Sequence, residues 1–308
     1  MPVIILLSIV ILLIVIIGGY TFFAACRRRP DLPWHNSDAL QKTAYAKHIK
    51  LISYSTKWLE EHNPTDIFVT SRDGLKLHAL WIPAEDPRGT ILLAHGYRST
   101  MLVDFGMVLE MYRNLGMNLL LPEQRAHGKS EGKYITFGVK ESEDMLCWID
   151  YHNKELSDCP VVISGLSMGA STVLYMLDRP LPGNVKAAIC DCGFTSPAEI
   201  IGKIFRQTAH IPSALFIRSA DLFARIFAGF SFYERDSRKI LANNRLPILM
   251  AHGTADDFVP CSMSEEAFAC CTGEKYLILA DGAEHGYSYS VAEAEYHEKI
   301  VKILNENL

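Results

Sequence analysis

Several features that are absent from the sequence exclude particular classes of protein. No Lys or Arg occurs among the first 26 residues, no sustained basic stripe follows, and the formal net charge is −5. A chain without a basic patch is a poor fit to nucleic-acid binding, so we expect no nucleic-acid partner. The eight cysteines are scattered, and neither Cys190-x-Cys192 nor Cys270-Cys271 has the ligand spacing of a zinc site. We therefore expect reduced thiols, no metal and no organic cofactor.

A long apolar run opens the chain. Val3 to Ala25 is interrupted only by Ser8, two glycines, Tyr20 and Thr21, and is long enough to cross a hydrocarbon core. A cleaved signal peptide normally begins with basic residues and has a shorter apolar stretch. Three arginines at 27–29 follow the run, and by the positive-inside rule they stay in the cytoplasm. The run predicts a single-pass anchor with the remaining chain in the cytoplasm.

Two other interpretations of this run stay open. Phe23-Ala24-Ala25-Cys26 loosely matches a bacterial lipoprotein box, which would make Cys26 a lipidated N-terminus. The run could also be a buried core helix, although a segment that is apolar on every side fits a core poorly at the end of a chain.

The central motif is Gly165-Leu166-Ser167-Met168-Gly169. A β-branched run precedes it and predicts a buried strand, while Ala170 to Asp178 predicts a helix. A serine in such a strand–turn–helix context stands on a tight, strained turn with its hydroxyl exposed, and the flanking glycines avoid collisions. Ser167 is the candidate nucleophile.

A serine hydroxyl needs a base, which in turn needs an acid to orient it. Downstream of Ser167, His285 and His297 are the histidines that follow a plausible acid and its strand. His297 lies in an amphipathic segment typical of a surface helix, whereas His285 follows the predicted strand Lys275 to Leu279. We predict His285 as the base, and we interpret His95, which precedes the serine, as a structural loop histidine.

The acid is predicted from the loop after the strand Pro247 to Ala251. Asp256 is the first aspartate of that loop and is our choice, with Asp257 as the nearest rival. Asp191, which follows the strand Val185 to Cys190, is a further candidate. Functional groups of open α/β sheets collect at these carboxyl ends of strands, but Asp in a loop is more often a turn or helix cap.

Together these motifs resemble the α/β-hydrolase superfamily, in its serine aminopeptidase-like and esterase/lipase-like branch. The resemblance covers roughly residues 65–308 and rests on five segments: His95-Gly96-Tyr97, Gln124 to Gly132, the serine motif, His252 to Pro260, and Glu284-His285-Gly286. It implies Ser167 as nucleophile, Asp256 as acid, His285 as base, and the backbone N–H groups of Tyr97 and Met168 as the oxyanion hole. Glu123-Gln124-Arg125 departs from the Asp-x-Arg usual in such relatives, in a loop outside the predicted triad.

The expected fold is a doubly wound, mostly parallel α/β sheet with a helical cap insertion, preceded by a transmembrane helix. We predict an anchor with its basic flank at 1–29, a juxtamembrane helical linker at 30–64 and the hydrolase domain at 65–308, with a cap at about 195–245. Ser37 to Glu61 predicts the linker helix, and Thr65 to Pro83 predicts a β-hairpin. The aromatic residues of the cap either pack it down or line an acyl pocket.

The predicted function is a membrane-anchored serine hydrolase that cleaves carboxylic esters through an acyl-enzyme, with a small-molecule or lipid-like acyl substrate. A thioesterase or an aminopeptidase-type amide hydrolase uses the same mechanism. A non-catalytic, membrane-tethered binding protein is a different class, but every triad position is occupied. A dehalogenase or epoxide hydrolase would carry an aspartate where this chain has Ser167.

Overall fold

One eight-stranded sheet organises the protein in a computed structural model, which describes residues 2–30, 40–42 and 46–308. The strands are β1 Thr65–Thr70, β2 Lys76–Ile82, β3 Gly89–Ala94, β4 Met117–Pro122, β5 Val161–Leu166, β6 Val185–Asp191, β7 Ile248–Gly253 and β8 Lys275–Ala280. Their order in the sheet is β1-β2-β4-β3-β5-β6-β7-β8. The pairs β1/β2 and β2/β4 are antiparallel, and all the others are parallel.

Helices cover both faces of the sheet. They are α1 Pro2–Cys26, α2 Ile49–Glu61, α3 Met101–Asp104, α4 Leu109–Asn114, α5 Glu141–Tyr151, α6 Met168–Met176, α7 Pro197–Ala209, α8 Ala214–Phe223, α9 Ser237–Leu241, α10 Cys261–Cys270, α11 Ser288–Val291 and α12 Glu293–Asn307. A 3₁₀ turn, Ala46–His48, precedes α2, and π-helical turns extend α5 through His152–Leu156 and α8 through Ala224–Ala228.

The alternating side chains of β3 show how the sheet divides the core. Leu92 and Ala94 belong to the apolar cluster on one face, and Ile91 and Leu93 belong to the cluster on the other. All four are inaccessible to solvent, because strands covered on both faces have no polar side. The doubly wound, mostly parallel sheet predicted from the sequence is confirmed.

Local predictions agree with the structure where residues are described. The hairpin at 65–83 is present, with Thr70 paired to Lys76 and Gly74 at φ 87° in the turn. The predicted linker helix is helical from Ala46 to Glu61 and ends before Asn63, whereas its expected N-terminal cap lies outside the described residues.

Three helices, α7, α8 and α9, lie between β6 and β7, in the interval predicted to hold a cap. Ser196 caps α7 by accepting a hydrogen bond from the Glu199 N–H, and Pro197 occupies its first turn. α8 packs against α1. The apolar N-terminal helix is therefore in contact with the inserted helices.

Candidate active site

Ser167 lies on a strained turn between β5 and α6, with φ 57° and ψ −117°. A Cβ on Gly165 would lie 2.2 Å from the carbonyl carbon of Gly169, and one on Gly169 would lie 1.8 Å from the carbonyl oxygen of Ala94. No side chain fits at either place, which explains the two glycines of the motif. Met168 follows the serine directly as the first residue of α6.

Three predicted residues form a continuous hydrogen-bonded chain. The Nε2 atom of His285 is 2.9 Å from Ser167 Oγ, and its Nδ1 atom is 2.6 Å from Asp256 Oδ2. The three come from loops after β5, β7 and β8, whose carboxyl ends meet at one edge of the sheet because the strands are parallel. Along the chain, 118 positions separate Ser167 from His285, and 29 positions separate Asp256 from His285.

Asp256 accepts hydrogen bonds at both carboxylate oxygens. Oδ1 accepts the backbone N–H groups of Phe258 and Val259, each at 2.8 Å, while Oδ2 faces His285 at 2.6 Å and His252 at 3.1 Å. Burial alone raises the pKa of this carboxyl, but the hydrogen bonds from His252 and His285 outweigh it and hold the pKa well below its usual range. Asp256 is therefore ionised at neutral pH.

His252 is a second histidine on this carboxylate, and the sequence reading had not assigned it a role. Its Nε2 atom lies 2.9 Å from the Val259 carbonyl oxygen as well as near Asp256, so it faces two acceptors and must carry a hydrogen. Its Nδ1 atom is then free to accept from Ser264 Oγ at 2.6 Å. The feature of the sequence that could have indicated this contact is the position of His252, four residues before the candidate acid and at the end of β7.

The rival acids occupy other places. Asp191 is buried, and its Oδ1 atom accepts from Ser288 Oγ at 2.7 Å, while burial raises its pKa. Asp257 has an exposed side chain, and its carbonyl oxygen accepts from Lys203 Nζ. Of the three aspartates, Asp256 is the one that hydrogen-bonds to His285 in the described contacts.

The rival histidines are also accounted for. His297 is exposed on α12. His95 is buried beside β3, its Nε2 atom accepts from the Gln124 N–H at 3.0 Å, and burial lowers its pKa to about 3. His127 similarly accepts from the Arg98 N–H at 3.0 Å, and burial lowers its pKa to about 4. These two neutral rings brace the loop that contains Tyr97.

Asp104 positions this loop, 95–100, from the inside. Its two carboxylate oxygens accept from the Gly96 N–H and from Ser99 Oγ, each at 2.6 Å, and burial raises its pKa to about 6. The loop passes close to the candidate nucleophile at Gly96, where an added Cβ would lie 3.2 Å from Asp104 Oδ2 and 3.4 Å from the Cβ of Ser167. Tyr97 therefore follows a residue that already contacts the candidate nucleophile.

The end of α1 holds the same loop from the outside. Tyr97 Oη donates to the Ala25 carbonyl oxygen at 2.7 Å, and the Arg98 guanidinium donates to the Ala24 and Arg27 carbonyl oxygens at 2.7 and 3.2 Å. The last carbonyls of a helix lack partners within the helix, and a cation is favoured near them. No sequence pattern indicated these contacts, because the partners are far apart along the chain. Tyr97 and Ala25 are separated by 72 positions, and Arg98 and Ala24 by 74.

A cavity of about 570 Å³ opens beside Ser167 and His285. Its apolar wall comes from the core and from α2, through Leu51, Val103, Met107, Ile135, Leu166 and Phe258. Arg29 and Pro30, just after α1, also line it.

Among the described lining residues, none belongs to α7, α8 or α9. Of the two alternatives for the aromatic residues of the cap, the described residues support packing over the lining of an acyl pocket. Phe205 and Phe216 stack on each other at 5.1 Å between ring centroids, and Phe223 and Phe227 contact the phenylalanines of α1. These rings instead pack the helices together.

One group of described residues has the composition of a metal site, namely Cys192, Asp256 and His285, whose ligand atoms lie within 4.8 Å of one another. The carboxylate and the imidazole are already hydrogen-bonded to each other, and burial raises the pKa of the Cys192 thiol well above its ordinary value. A thiolate is the form that binds a metal, so the group is better suited to proton transfer than to metal binding.

Comparisons with known proteins agree with this architecture. A family described as serine aminopeptidase, S33, matches residues 85–221, which include Tyr97 and Ser167 but end before Asp256 and His285. The protein YqkD of Bacillus subtilis (strain 168), described as uncharacterized, is 26% identical over 247 residues, or 80% of this chain and 81% of YqkD.

Two further similarities involve proteins with a named activity. The esterase Pf2001 of Pyrococcus furiosus superposes with a TM-score of 0.64 at 22% identity, covering 80% of this chain and 92% of the esterase. A monoacylglycerol lipase of Mycolicibacterium smegmatis is 25% identical over 115 residues, which are 37% of this chain and 40% of the lipase. At such identity the structural similarity establishes the fold, while substrates have to be argued from the site.

Proposed function

The chain belongs to the α/β-hydrolase superfamily, and on that premise we propose that it is a membrane-anchored serine hydrolase that cleaves carboxylic esters through an acyl-enzyme. The observation that carries the proposal is the hydrogen-bonded chain from Ser167 through His285 to Asp256. A serine, a histidine and an ionised carboxylate in this sequence of contacts form an acyl-transfer triad.

In the proposed reaction, Ser167 Oγ attacks the ester carbonyl carbon while His285 Nε2 takes the hydroxyl proton. The carbonyl π electrons move to the oxygen, which the backbone N–H groups of Tyr97 and Met168 would stabilise. As the tetrahedral intermediate collapses, His285 returns the proton to the departing alcohol. Water then attacks the acyl-enzyme by the same two proton transfers and releases the acid. Asp256 keeps the proton of His285 on Nδ1 throughout.

The acids of the cap give no support for a peptide substrate with a free amine. An aminopeptidase needs an acid to hold that amine, and the candidates in the cap are Glu199, Asp221, Glu234 and Asp236. None of them is among the lining residues, and Glu199 and Asp236 both pair with Arg238, at 2.6 and 2.9 Å. The similarity to a monoacylglycerol lipase adds support for an acyl ester.

A fluorophosphonate probe tests the serine mechanism. Wild-type protein is expected to label covalently, Ser167→Ala is expected not to label, and the exposed control Ser290→Ala is expected to label like wild type. Labelling of Ser167→Ala at the wild-type rate, or an unlabelled wild type, refutes the proposed nucleophile.

A substrate panel tests the ester assignment. It contains p-nitrophenyl esters of graded chain length, aminoacyl p-nitroanilides and an acyl-CoA. We expect the highest kcat/KM for an ester. A preference for an anilide or for the acyl-CoA would retain the mechanism and replace the substrate class.

The anchor assignment rests on α1, which is long and apolar enough to span a membrane. A cleaved signal peptide or a lipidated Cys26 fits the contacts less well, because Phe22 and Cys26 are buried and the Cys26 carbonyl oxygen accepts from the Ile135 N–H at 2.7 Å. With Arg27–Arg29 after the helix, the catalytic domain would face the cytoplasm. Intact mass spectrometry is expected to find α1 still attached, and alkaline carbonate is expected to leave the protein in the membrane pellet.

A further inference from the structure

The part of α1 that is clear of the protein is too short to cross a bilayer. Residues 2–13 are exposed throughout, and Ile14 is the first half-buried position. About 12 helical residues span ~18 Å, whereas a hydrocarbon core is ~30 Å thick. If α1 spans the membrane as proposed above, the segment that packs on α8 must share the hydrocarbon region.

The contact between α1 and α8 is a close approach of two backbones. A Cβ on Gly18 would lie 2.3 Å from Ser219 Oγ and 3.0 Å from the Ala220 backbone nitrogen, and one on Gly19 would lie 3.0 Å from the Phe223 ring. Small residues allow this approach, which is how helices associate within membranes. The two helices therefore form one tightly packed unit.

The helices run in the same direction, which fixes their relative depth. Gly18 meets Ser219, and one turn later Phe23 contacts Phe223 and Phe227, with ring centroids 6.4 and 5.5 Å apart. Leu215 precedes Ser219 by one turn, as Ile14 precedes Gly18. Leu215 and Ile14 therefore lie at about the same depth.

The outer face of α8 is apolar where it borders α1. Leu215, Leu222 and Ile226 are 60%, 54% and 66% exposed, and their spacing of seven and four residues places them on one side of the helix. Arg218 and Arg225, which are also exposed, flank this side. Because α8 runs beside α1 and not in the membrane plane, Ile226 lies ~16 Å nearer the cytoplasm than Leu215, and only the N-terminal end of this face can lie within the hydrocarbon.

We propose that the N-terminal end of this face, at Leu215, is a second membrane contact, inserted into the cytoplasmic leaflet beside α1 while Leu222 and Ile226 lie at the membrane surface. Tyr20, which is 75% exposed, and the arginines at 27–29 mark the cytoplasmic interface, where tyrosine and basic residues are enriched, so we place the boundary of the hydrocarbon core near Thr21. Ile14 and Leu215 lie ~10 Å inside that boundary, the depth typical of interfacial helices.

This placement deepens the proposed function, on which it rests. Arg29 and Pro30 line the cavity beside Ser167 and follow α1 by three and four residues, so the cavity lies next to the membrane surface. In this placement an ester that partitions into the leaflet is concentrated close to the cavity. The substrate class is thus an acyl ester that partitions into lipid.

Depth-dependent quenching tests the contact in the full-length protein, reconstituted in vesicles of phosphatidylcholine and phosphatidylglycerol. Leu215→Trp is compared with Leu12→Trp, near the expected bilayer centre, and with Glu85→Trp, an exposed position at the opposite edge of the sheet. Phosphatidylcholine brominated near the headgroup end of its acyl chains is compared with lipid brominated near the methyl end. The fluorescence of the wild type is subtracted as a baseline.

We expect Leu215→Trp to be quenched more by the shallow bromines, Leu12→Trp more by the deep ones, and Glu85→Trp by neither. Quenching of Leu12→Trp while Leu215→Trp behaves like Glu85→Trp overturns the α8 contact and leaves the anchor standing. Absence of quenching at both positions overturns the anchor as well. Turnover of a water-soluble ester, measured on each variant, reports the hydrolase activity separately and is expected to equal that of the wild type.

Discussion

Replacing Asp256 by asparagine gives the sharpest prediction for the site. The substitution keeps the size of the side chain but converts one oxygen to an NH₂ group. Each oxygen of Asp256 faces donors, two backbone N–H groups at Oδ1 and the two histidines His285 and His252 at Oδ2. An NH₂ group at either place therefore meets a donor.

The less costly arrangement turns the NH₂ group toward the histidines, since a ring can change its tautomer whereas a backbone N–H cannot. His285 then accepts at Nδ1 and carries its hydrogen on Nε2, where it can no longer take the proton of Ser167. We expect kcat to fall about 10⁴-fold, the effect of a wrong tautomer in a serine triad. This corresponds to ~5 kcal/mol of lost transition-state stabilisation.

The assay is the hydrolysis of a p-nitrophenyl ester, with circular dichroism to verify folding. Asp257→Asn is the matched control, because its exposed carboxylate has no contact with His285 in the structure, and we expect its kcat to stay near the wild-type value. A folded Asp256→Asn protein that keeps more than about a tenth of the wild-type kcat refutes the tautomer argument, since that loss is only ~1.4 kcal/mol.

Three other substitutions probe the surroundings of the triad. Tyr97→Phe keeps the backbone N–H but loses the 2.7 Å hydrogen bond to the Ala25 carbonyl oxygen. We expect kcat to fall about 2- to 10-fold, which corresponds to the loss of one hydrogen bond. An unchanged kcat would show that α1 does not affect the loop at 95–100 that contains the proposed oxyanion donor. The pKa of Asp104, raised to about 6 by burial, exceeds the value of ~3.9 in an unfolded chain, so the folded state binds more protons between these pH values and stability falls as the pH rises. Chemical denaturation at pH 4 and 7 should show wild type losing ~2 kcal/mol relative to Asp104→Asn; parallel pH dependence of the two would contradict the assignment. Gly169→Ala puts a Cβ 1.8 Å from a carbonyl oxygen of β3, which we expect to cost more than ~3 kcal/mol of unfolding free energy, while Gly183→Ala, with nothing within 4 Å of its Cβ, should keep the wild-type midpoint.

The features predicted correctly from the sequence are those encoded locally or by chain order. The turn at Ser167 has a signal in its two glycines, because no other residue fits where the backbone passes within contact distance of β3. The pairing of His285 with Asp256 follows from strand topology, since loops after neighbouring parallel strands meet at one edge. Their catalytic roles remain predictions for the assays above.

Contacts that depend on tertiary packing could not be predicted from the sequence. An amphipathic pattern in α8 indicates that one side is buried, but not that Phe223 packs against α1 rather than around the substrate cavity. The bond from Tyr97 to Ala25 joins two segments whose residues are individually unremarkable. His252 resembled any histidine at a strand end, and only the three-dimensional structure shows it on the far side of the candidate acid.

The end of α1 links the proposed anchor to the proposed chemistry. Its last carbonyl oxygens accept from Tyr97 and Arg98, and these residues belong to the loop that reaches Ser167 through Gly96. A chain that starts at Arg27 would lose these acceptors together with the buried ring of Phe22. The loop would then keep only the Arg98 bond to the Arg27 carbonyl oxygen from the outside, besides Asp104 and the two neutral histidines from the inside. Preorganised donors act on an oxyanion only while their geometry is fixed, so α1 is better regarded as part of the catalytic domain than as a detachable tether.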